Sequence, residues 1–247
     1  MTILCIETST SVCSAAICKD GVLIKQCINY EGSNHARLLP LYIEELLAFA
    51  REQHLSLDAV ALSEGPGSYT GLRIGTATAK GLCYGLNIPL IPVPTLEVLC
   101  EAAKSKIDNQ KSEIVFVPML DARRMEVYTT VTGYGLPMSE AKAVVVESEE
   151  SIYSILPDSF NFQLSIPSDR ALGQRTFNFF GDGAAKCQAV LTSPNWHYIP
   201  DIVPEAKYVG ALAENQKSKI ENQQLAYYEP FYLKEFIAAR SHVKGLK

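Results

Sequence analysis

The sequence predicts an α/β protein built from two similar units. Three observations lead there. The first hundred residues read as three strands followed by helix, strand, helix, strand and helix. After the polar stretch Lys104–Glu113, the three-strand opening recurs from Ile114. Such a recurrence points to an internal duplication. Finally, an apolar strand at Leu57–Ser63 runs straight into a glycine-rich loop and a helix of small residues.

In order, Ile3-Leu4-Cys5-Ile6 is a buried strand ending at Glu7-Thr8-Ser9-Thr10, and Val12–Cys18 a second. Lys19-Asp20-Gly21 is a hairpin turn into a third, Val22–Ile28. Ser33 and Asn34 offer caps for a helix whose apolar residues fall at Leu38, Leu39, Tyr42, Ile43, Leu46, Leu47 and Ala50, a helical stripe. Pro40 sits near its start, where it is tolerated or bends the first turn. Ile88–Ile91 reads as a strand and Thr95 to about Lys104 as a helix. In the second unit the strands are Ile114–Leu120, Glu126–Val131 and Ala143–Glu147, with a Gly-rich turn at Thr132–Pro137. Ser148 begins a helix reaching about Leu156, and Pro157–Arg175 is a long surface loop. Phe177–Phe180 is a strand entering Gly181-Asp182-Gly183, before helices at Ala184–Leu191 and Ala206–Glu214. The aromatic run Tyr227–Leu233 reads as a strand packed on the fold. The expected division is 1–104 and 105–247, with a return of the last helix or tail to the first lobe left open.

Glu64–Gly85, EGPGSYTGLRIGTATAKGLCYG, is the stretch around which the chain is organised. Gly65, Pro66 and Gly67 favour a tight turn, and Ser68 or Thr70 can cap the helix that follows. Gly71, Gly75 and Ala79 recur four apart, as do Ala77, Gly81 and Gly85. Each such stripe lets another backbone approach closely, which offsets a cost of roughly 1 kcal/mol per helical glycine. Two nucleotide motifs fail here. Leu72 and Arg73 follow Gly71 where a Walker A loop needs Gly-Lys-Ser/Thr, and Thr70 stands where a dinucleotide fingerprint needs glycine. A plain strand-to-helix turn and an anion site at the helix start both stay open.

Charge and composition narrow the classes. A net charge of −5 argues against nucleic-acid binding by the chain alone. The exception is the tail Lys234–Lys247, which carries Lys234, Arg240, Lys244 and Lys247 against Glu235. Seven cysteines without a CxxC pair read as reduced, buried thiols of a cytosolic protein. No basic stretch precedes the strand at Ile3, so no signal peptide is expected, and the uncharged run Gly81–Leu96 is broken by Pro89, Pro92 and Pro94. His35, His54, His197 and His242 are scattered, which argues against a histidine metal cluster. No Ser-His-Asp order can be argued from them either.

ILCIETSTSVCSAAI, HARLLPLYIEELL, LSEGPGSYTGLRIGTATAKGL, MLDARRMEVY and EPFYLK together resemble the TsaB (YeaZ) family. GPGSYTGLRIG is the most specific string; the resemblance is strong over Thr2–Cys100, clear at Pro118–Tyr128 and thin afterwards. It implies the actin-like ATPase (ASKHA) fold, two RNase H-like lobes with mixed sheets flanked by helices. It also implies a cytoplasmic, non-catalytic dimerisation subunit that partners a TsaD homologue, with TsaE, an ATPase, joining them. TsaD transfers a threonylcarbamoyl group to a tRNA adenosine beside the anticodon. On this reading the chain is not itself an enzyme, requires no cofactor or metal, meets tRNA only through the assembly, and shares at most a weak ATP or ADP site at the interface. A homodimer in isolation stays open. In TsaD the segment matching Pro92–Leu99 carries metal-binding histidines; here the matching positions are Pro94, Thr95 and Leu99, none of them a good metal ligand, and Glu97 alone is insufficient.

The resemblance places docking on helices Ala36–Ala50 and Arg73–Gly85, with Leu38, Leu39, Tyr42, Ile43 and Leu46 from the first and Arg73, Gly75, Thr78, Ala79 and Leu82 from the second. The sequence does not separate the face that docks from the face that covers the sheet. A degraded nucleotide site would use Glu7, Thr8 and Ser9, then Asp121, then Gly181, Asp182 and Gly183. Its first two loops lack the glycine that lets amides approach a phosphate, and the GDG turn is read equally as a plain turn. The competing function class is an enzyme: an actin-like ATPase or phosphotransferase with Glu7 or Asp121 holding magnesium, or a peptidase. Direct tRNA contact through Arg123, Arg124 or the basic tail is a third reading, disfavoured as a lone activity by the overall charge.

Overall fold

A computed structural model describes residues 1–32, 34–107, 114–133, 138–156, 175–216 and 220–234. The expected loop Pro157–Arg175 and the tail beyond Lys234 lie outside the described residues, apart from Arg175 itself.

The first lobe is built from β1 (Thr2–Glu7), β2 (Cys13–Lys19), β3 (Val22–Asn29), α1 (His35–Glu52), β4 (Ala59–Gly65), α2 (Tyr69–Leu86), β5 (Leu90–Pro94) and α3 (Thr95–Lys104). Its sheet runs β3-β2-β1-β4-β5. The first three strands are antiparallel, while β1-β4 and β4-β5 are parallel. β1 is buried along its whole length because helices cover both faces, which is why it reads as an unbroken apolar run. The β2–β3 turn places Asp20 and Gly21 at φ 52 and 76, the left-handed pair that a two-residue hairpin requires. β4 and β5 begin at Ala59 and Leu90, two residues later than the apolar runs imply. Asp58 is taken instead by a hydrogen bond from the Thr2 amide at 2.7 Å.

The second lobe contains β6 (Ile114–Asp121), β7 (Glu126–Thr129), β8 (Thr132–Gly133), β9 (Lys142–Val145), α4 (Glu149–Tyr153), β10 (Thr176–Phe180) and β11 (Trp196–Ile199). Its sheet runs β9-β7-β6-β10-β11, with β8 also on β6. β6 is antiparallel to β7 and parallel to β10, so the strand order and directions repeat those of the first lobe. This shared third-second-first-fourth-fifth order is the RNase H-like pattern, present twice. α3 lies between the lobes: Val98 packs with the first sheet, and Leu96, Leu99 and Cys100 pack with Phe116, Leu120 and Phe180 of the second.

α5 (Ala206–Ala213) lies on the face of the first sheet opposite α1 and α2, against Ile3, Cys5, Ala16 and Cys18. Gly210 sits so close to the Cys18 and Cys5 sulfurs that no side chain fits. Ile220 then bridges to Leu90, and the short α6 (Asn222–Leu225) buries Leu225 beneath α2.

Two expected elements differ. Ala184–Leu191, expected as a helix, holds a single 3-10 turn at Ala185–Cys187, where most bonds run from residue i+3 to i. The run Tyr227–Leu233, expected as a strand, pairs with β4 through a single backbone bond, Phe231 N–H to Glu64 O at 2.7 Å. Pro230 has no N–H to extend a ladder there.

Candidate functional site

Two surfaces are candidates: the cleft between the lobes and the outward side of α1 and α2. The cleft encloses about 470 Å³ and is walled by the loop after β1 (Ser9, Thr10, Ser11), the start of α2 (Ser68, Tyr69, Thr70), the β6–β7 turn (Asp121, Ala122, Arg123), Asp182, and the segment Phe231–Lys234. The walls are held tightly. Ser68 caps α2 by accepting the Gly71 amide at 3.3 Å, and the Ser68 amide donates to Ser9 O at 2.6 Å. Tyr69 and Tyr232 meet at 5.2 Å between ring centroids, with the Arg73 guanidinium 4.7 Å above Tyr69.

The residues expected to hold a nucleotide are largely committed elsewhere. Glu7 is fully buried. One carboxylate oxygen accepts from Ser9 N at 2.6 Å and Ser9 Oγ at 2.5 Å, and the other accepts from Ser63 Oγ. Burial pushes its pKa up, against the lowering effect of those three donors, and Asp182 adds a further upward push. It does not wall the cleft, so its carboxylate is not presented to a ligand there. Thr8 is buried and donates from Oγ1 to Gly71 O at 2.8 Å. Ser9 alone of the three reaches the cleft. Asp121 is exposed; its Oδ1 accepts the Arg123 amide at 3.0 Å and is ion-paired with Lys186. A lysine thus occupies the ground a divalent cation would need. Asp182 accepts the Asp121 amide at 3.0 Å, and burial raises its pKa.

Gly181 and Gly183 are used by packing. A Cβ on Gly181, which has φ 104, would overlap Met119 O, and one on Gly183 would lie 2.7 Å from the Leu120 carbonyl carbon. Both glycines face the backbone of β6, so packing alone accounts for the absence of a side chain at each. Among the described residues, no three His, Cys, Asp or Glu side chains cluster so as to hold a metal ion.

The expected docking residues divide by face. Leu39, Ile43 and Leu46 of α1 and Gly75 and Ala79 of α2 are buried in the chain's own core and cannot form a docking surface. A side chain at Gly75 would overlap Thr8 Oγ1, and one at Gly71 would overlap Thr8 O. The stripe Gly71-Gly75-Ala79 therefore seats α2 on the loop after β1. Leu38, Tyr42, Thr78 and Leu82 are half-buried, and Arg73 is exposed. The second stripe points outward: Ala77, Gly81 and Gly85 are exposed, and added Cβ atoms at Gly81 and Gly85 would meet nothing within 4 Å. Beside it Tyr84 is 80% exposed and, on α1, Leu41 is 56% exposed. Tyr84 and Leu41 were missed from sequence; the i, i+4 run from Arg73 through Ala77 and Gly81 is the signal that leads to that face.

A family model described as TsaD, tRNA N6-adenosine threonylcarbamoyltransferase, matches residues 29–240. A protein of Buchnera aphidicola subsp. Baizongia pistaciae, described as tRNA threonylcarbamoyladenosine biosynthesis protein TsaB, is 30% identical over 165 residues, 63% of this chain and 70% of that one. The chain belongs to the TsaB (YeaZ) family. TsaB of Haemophilus influenzae is 38% identical over 130 residues, 52% of each chain, and TsaB of Bacillus subtilis 35% over 135 residues, 54% of this chain and 56% of that one. The chain thus spans about half the length of these two curated relatives. Among solved structures, YeaZ from Pseudomonas aeruginosa superposes with TM-score 0.65 at 25% identity, covering 94% of this chain and 99% of that one. A second Pseudomonas aeruginosa structure, described as similar to peptidase YEAZ, gives 0.69 at 22% with the same coverage. Within the TsaB framework, of the three positions matching the TsaD-type histidines, Pro94 is half-buried and Thr95 and Leu99 are built as core. Thr95 is fully buried, and its Oγ1 accepts the Gly65 amide at 3.1 Å. Leu99 is fully buried between the lobes, with its Cδ2 against Gly181.

Proposed function

We propose that this chain works in tRNA threonylcarbamoyladenosine biosynthesis as a docking subunit that binds a TsaD homologue through the outward side of α1 and α2. The reading rests on family membership for the pathway and on one observation for the surface. α2 spends its first small-residue stripe on its own core and leaves the second, Ala77-Gly81-Gly85, open beside Tyr84. An open stripe of small residues flanked by an exposed tyrosine lets a partner helix approach closely around a tyrosine anchor. Pairing of two copies in isolation, if it occurs, uses this same face. A TsaE homologue joins the assembled pair rather than the lone chain. The chain carries no catalytic step of its own and requires no metal. Any ATP or ADP is shared across the assembly interface, because Glu7 and the Gly181–Gly183 turn are committed internally.

Mixing the chain with its TsaD homologue and following gel filtration tests the reading. Co-elution is expected. Gly81→Trp and Tyr84→Ala should each weaken the complex, Tyr84→Ala by about 2 kcal/mol or roughly thirtyfold, with neither variant losing stability to unfolding. Absence of a complex would defeat the proposal, as would an affinity indifferent to both changes. ATP turnover by the isolated chain would favour the enzyme reading instead.

A further inference from the structure

We infer that the rim of the inter-lobe cleft around Arg123 and Arg124 contacts a single-stranded segment of RNA, namely the tRNA held by the assembly. This deepens the docking reading and rests on it, since a chain of net charge −5 does not hold RNA unaided. The cations at this rim are unequal. Lys186 is matched to Asp121 and Lys234 to Glu126. Those two carboxylates are therefore occupied, the Asp182 carboxylate in the same wall accepts the Asp121 amide, and Arg123 and Arg124, both exposed, have no carboxylate at ion-pair distance among the described residues. Their backbones stand at φ 73 and 51, consecutive left-handed residues at the β6–β7 turn, a conformation that costs non-glycine residues energy. The rim is consequently a local positive site on an acidic chain.

Beside it are the other two components of single-strand recognition. Aromatic surfaces come from Tyr128 and the Tyr69–Tyr232 pair, all walling the cleft. Hydroxyls of Ser11, Ser68 and Thr70 line the opposite wall. Unstacked RNA is held by base stacking on such rings, by guanidinium contacts to phosphate, and by hydroxyl contacts to ribose and phosphate. A cleft of about 470 Å³ admits one extruded nucleotide, not a duplex.

The test uses the complex of this chain with its TsaD homologue and labelled tRNA, titrated over a range of salt. Arg123→Asn with Arg124→Asn removes both charges while keeping residues that tolerate left-handed backbone. Affinity for tRNA should fall about tenfold, and the slope of log K against log salt should shrink by about 1.4, at roughly 0.7 per lost single-strand phosphate contact. Elution of the protein complex should not change. An intact complex with unaltered affinity and slope overturns the inference and leaves the docking reading standing. Failure of the wild-type chain to form the complex overturns the docking reading and this one with it. In a second arm, a dicarbonyl reagent modifies free arginine, and tRNA should protect Arg123 where an equal concentration of AMP does not. Protection by AMP alone assigns the rim to a free nucleotide and overturns the inference.

Discussion

Replacing Gly71 and Gly81 by alanine, one at a time, should move stability in opposite directions although both lie on the same eighteen-residue helix. At Gly81 the new methyl group meets nothing within 4 Å, so the change only raises helix propensity. It should stabilise by about 0.5–1 kcal/mol. At Gly71 the methyl would overlap Thr8 O, a backbone atom that cannot rotate away. The start of α2 must then lift from the loop after β1. That motion strains two bonds, Ser68 N–H to Ser9 O at 2.6 Å and Thr8 Oγ1 to Gly71 O at 2.8 Å. Each contributes about 1 kcal/mol, and overpacking adds about 1–3 kcal/mol. After the gain in helix propensity of about 1 kcal/mol, the net loss is about 2–4 kcal/mol. Urea unfolding followed by far-ultraviolet circular dichroism reads this as a midpoint lowered by about 1 M. A Gly71→Ala protein as stable as the Gly81→Ala one would refute the assignment of the inner stripe to packing.

Glu7→Gln tests whether the buried carboxylate is structural. Because its folded pKa lies above the ordinary value of 4.5, through burial against the opposing Ser63 and Ser9 bonds, its contribution to stability is fully present below that ordinary value. It is lost as pH rises through the folded value. The amide, which keeps an acceptor for Ser9 and does not ionise, should flatten stability against pH in that window, as measured by thermal unfolding at stepped pH. A pH profile identical to wild type would rule out this role. Leu99→His, which restores one of the implied TsaD-type imidazoles, places a polar ring in a fully buried site with no partner. It should cost about 3 kcal/mol or more and bind no zinc by elemental analysis; an unchanged melting temperature with stoichiometric zinc would contradict the account of that position.

The strand skeleton was readable because its signals are local. Ile3–Ile6 is continuously apolar since both faces are covered, and Asp20-Gly21 carries its own turn geometry. The two lobes were readable because the opening pattern recurs. The direction of α2 was not. Gly71-Gly75-Ala79 and Ala77-Gly81-Gly85 are chemically alike, and what decides between them is Thr8, more than sixty residues away in the chain. The same difficulty affected Gly181 and Gly183, whose glycine requirement the β6 backbone already accounts for. Tyr227–Leu233 mimics a strand in composition, but Pro230 removes a donor and the segment settles along α2 instead, where Lys80 Nζ donates to Ala226 O and Tyr228 O. In the cleft, Asp121 was visible as an acid, but nothing in the pattern announced Lys186 as its counter-ion.

The return of α5 to the first sheet has a consequence during synthesis. When the ribosome has made the first lobe, every strand of that sheet exists, yet the side bearing Ile3, Cys5, Ala16 and Cys18 is met only by Val98 of α3 until Ala206–Ala213 emerges. The earliest-made lobe is thus among the last to be completed. The nascent polypeptide carries a largely bare apolar face through most of translation, and a chain truncated after the first lobe is expected to aggregate rather than behave as an autonomous module.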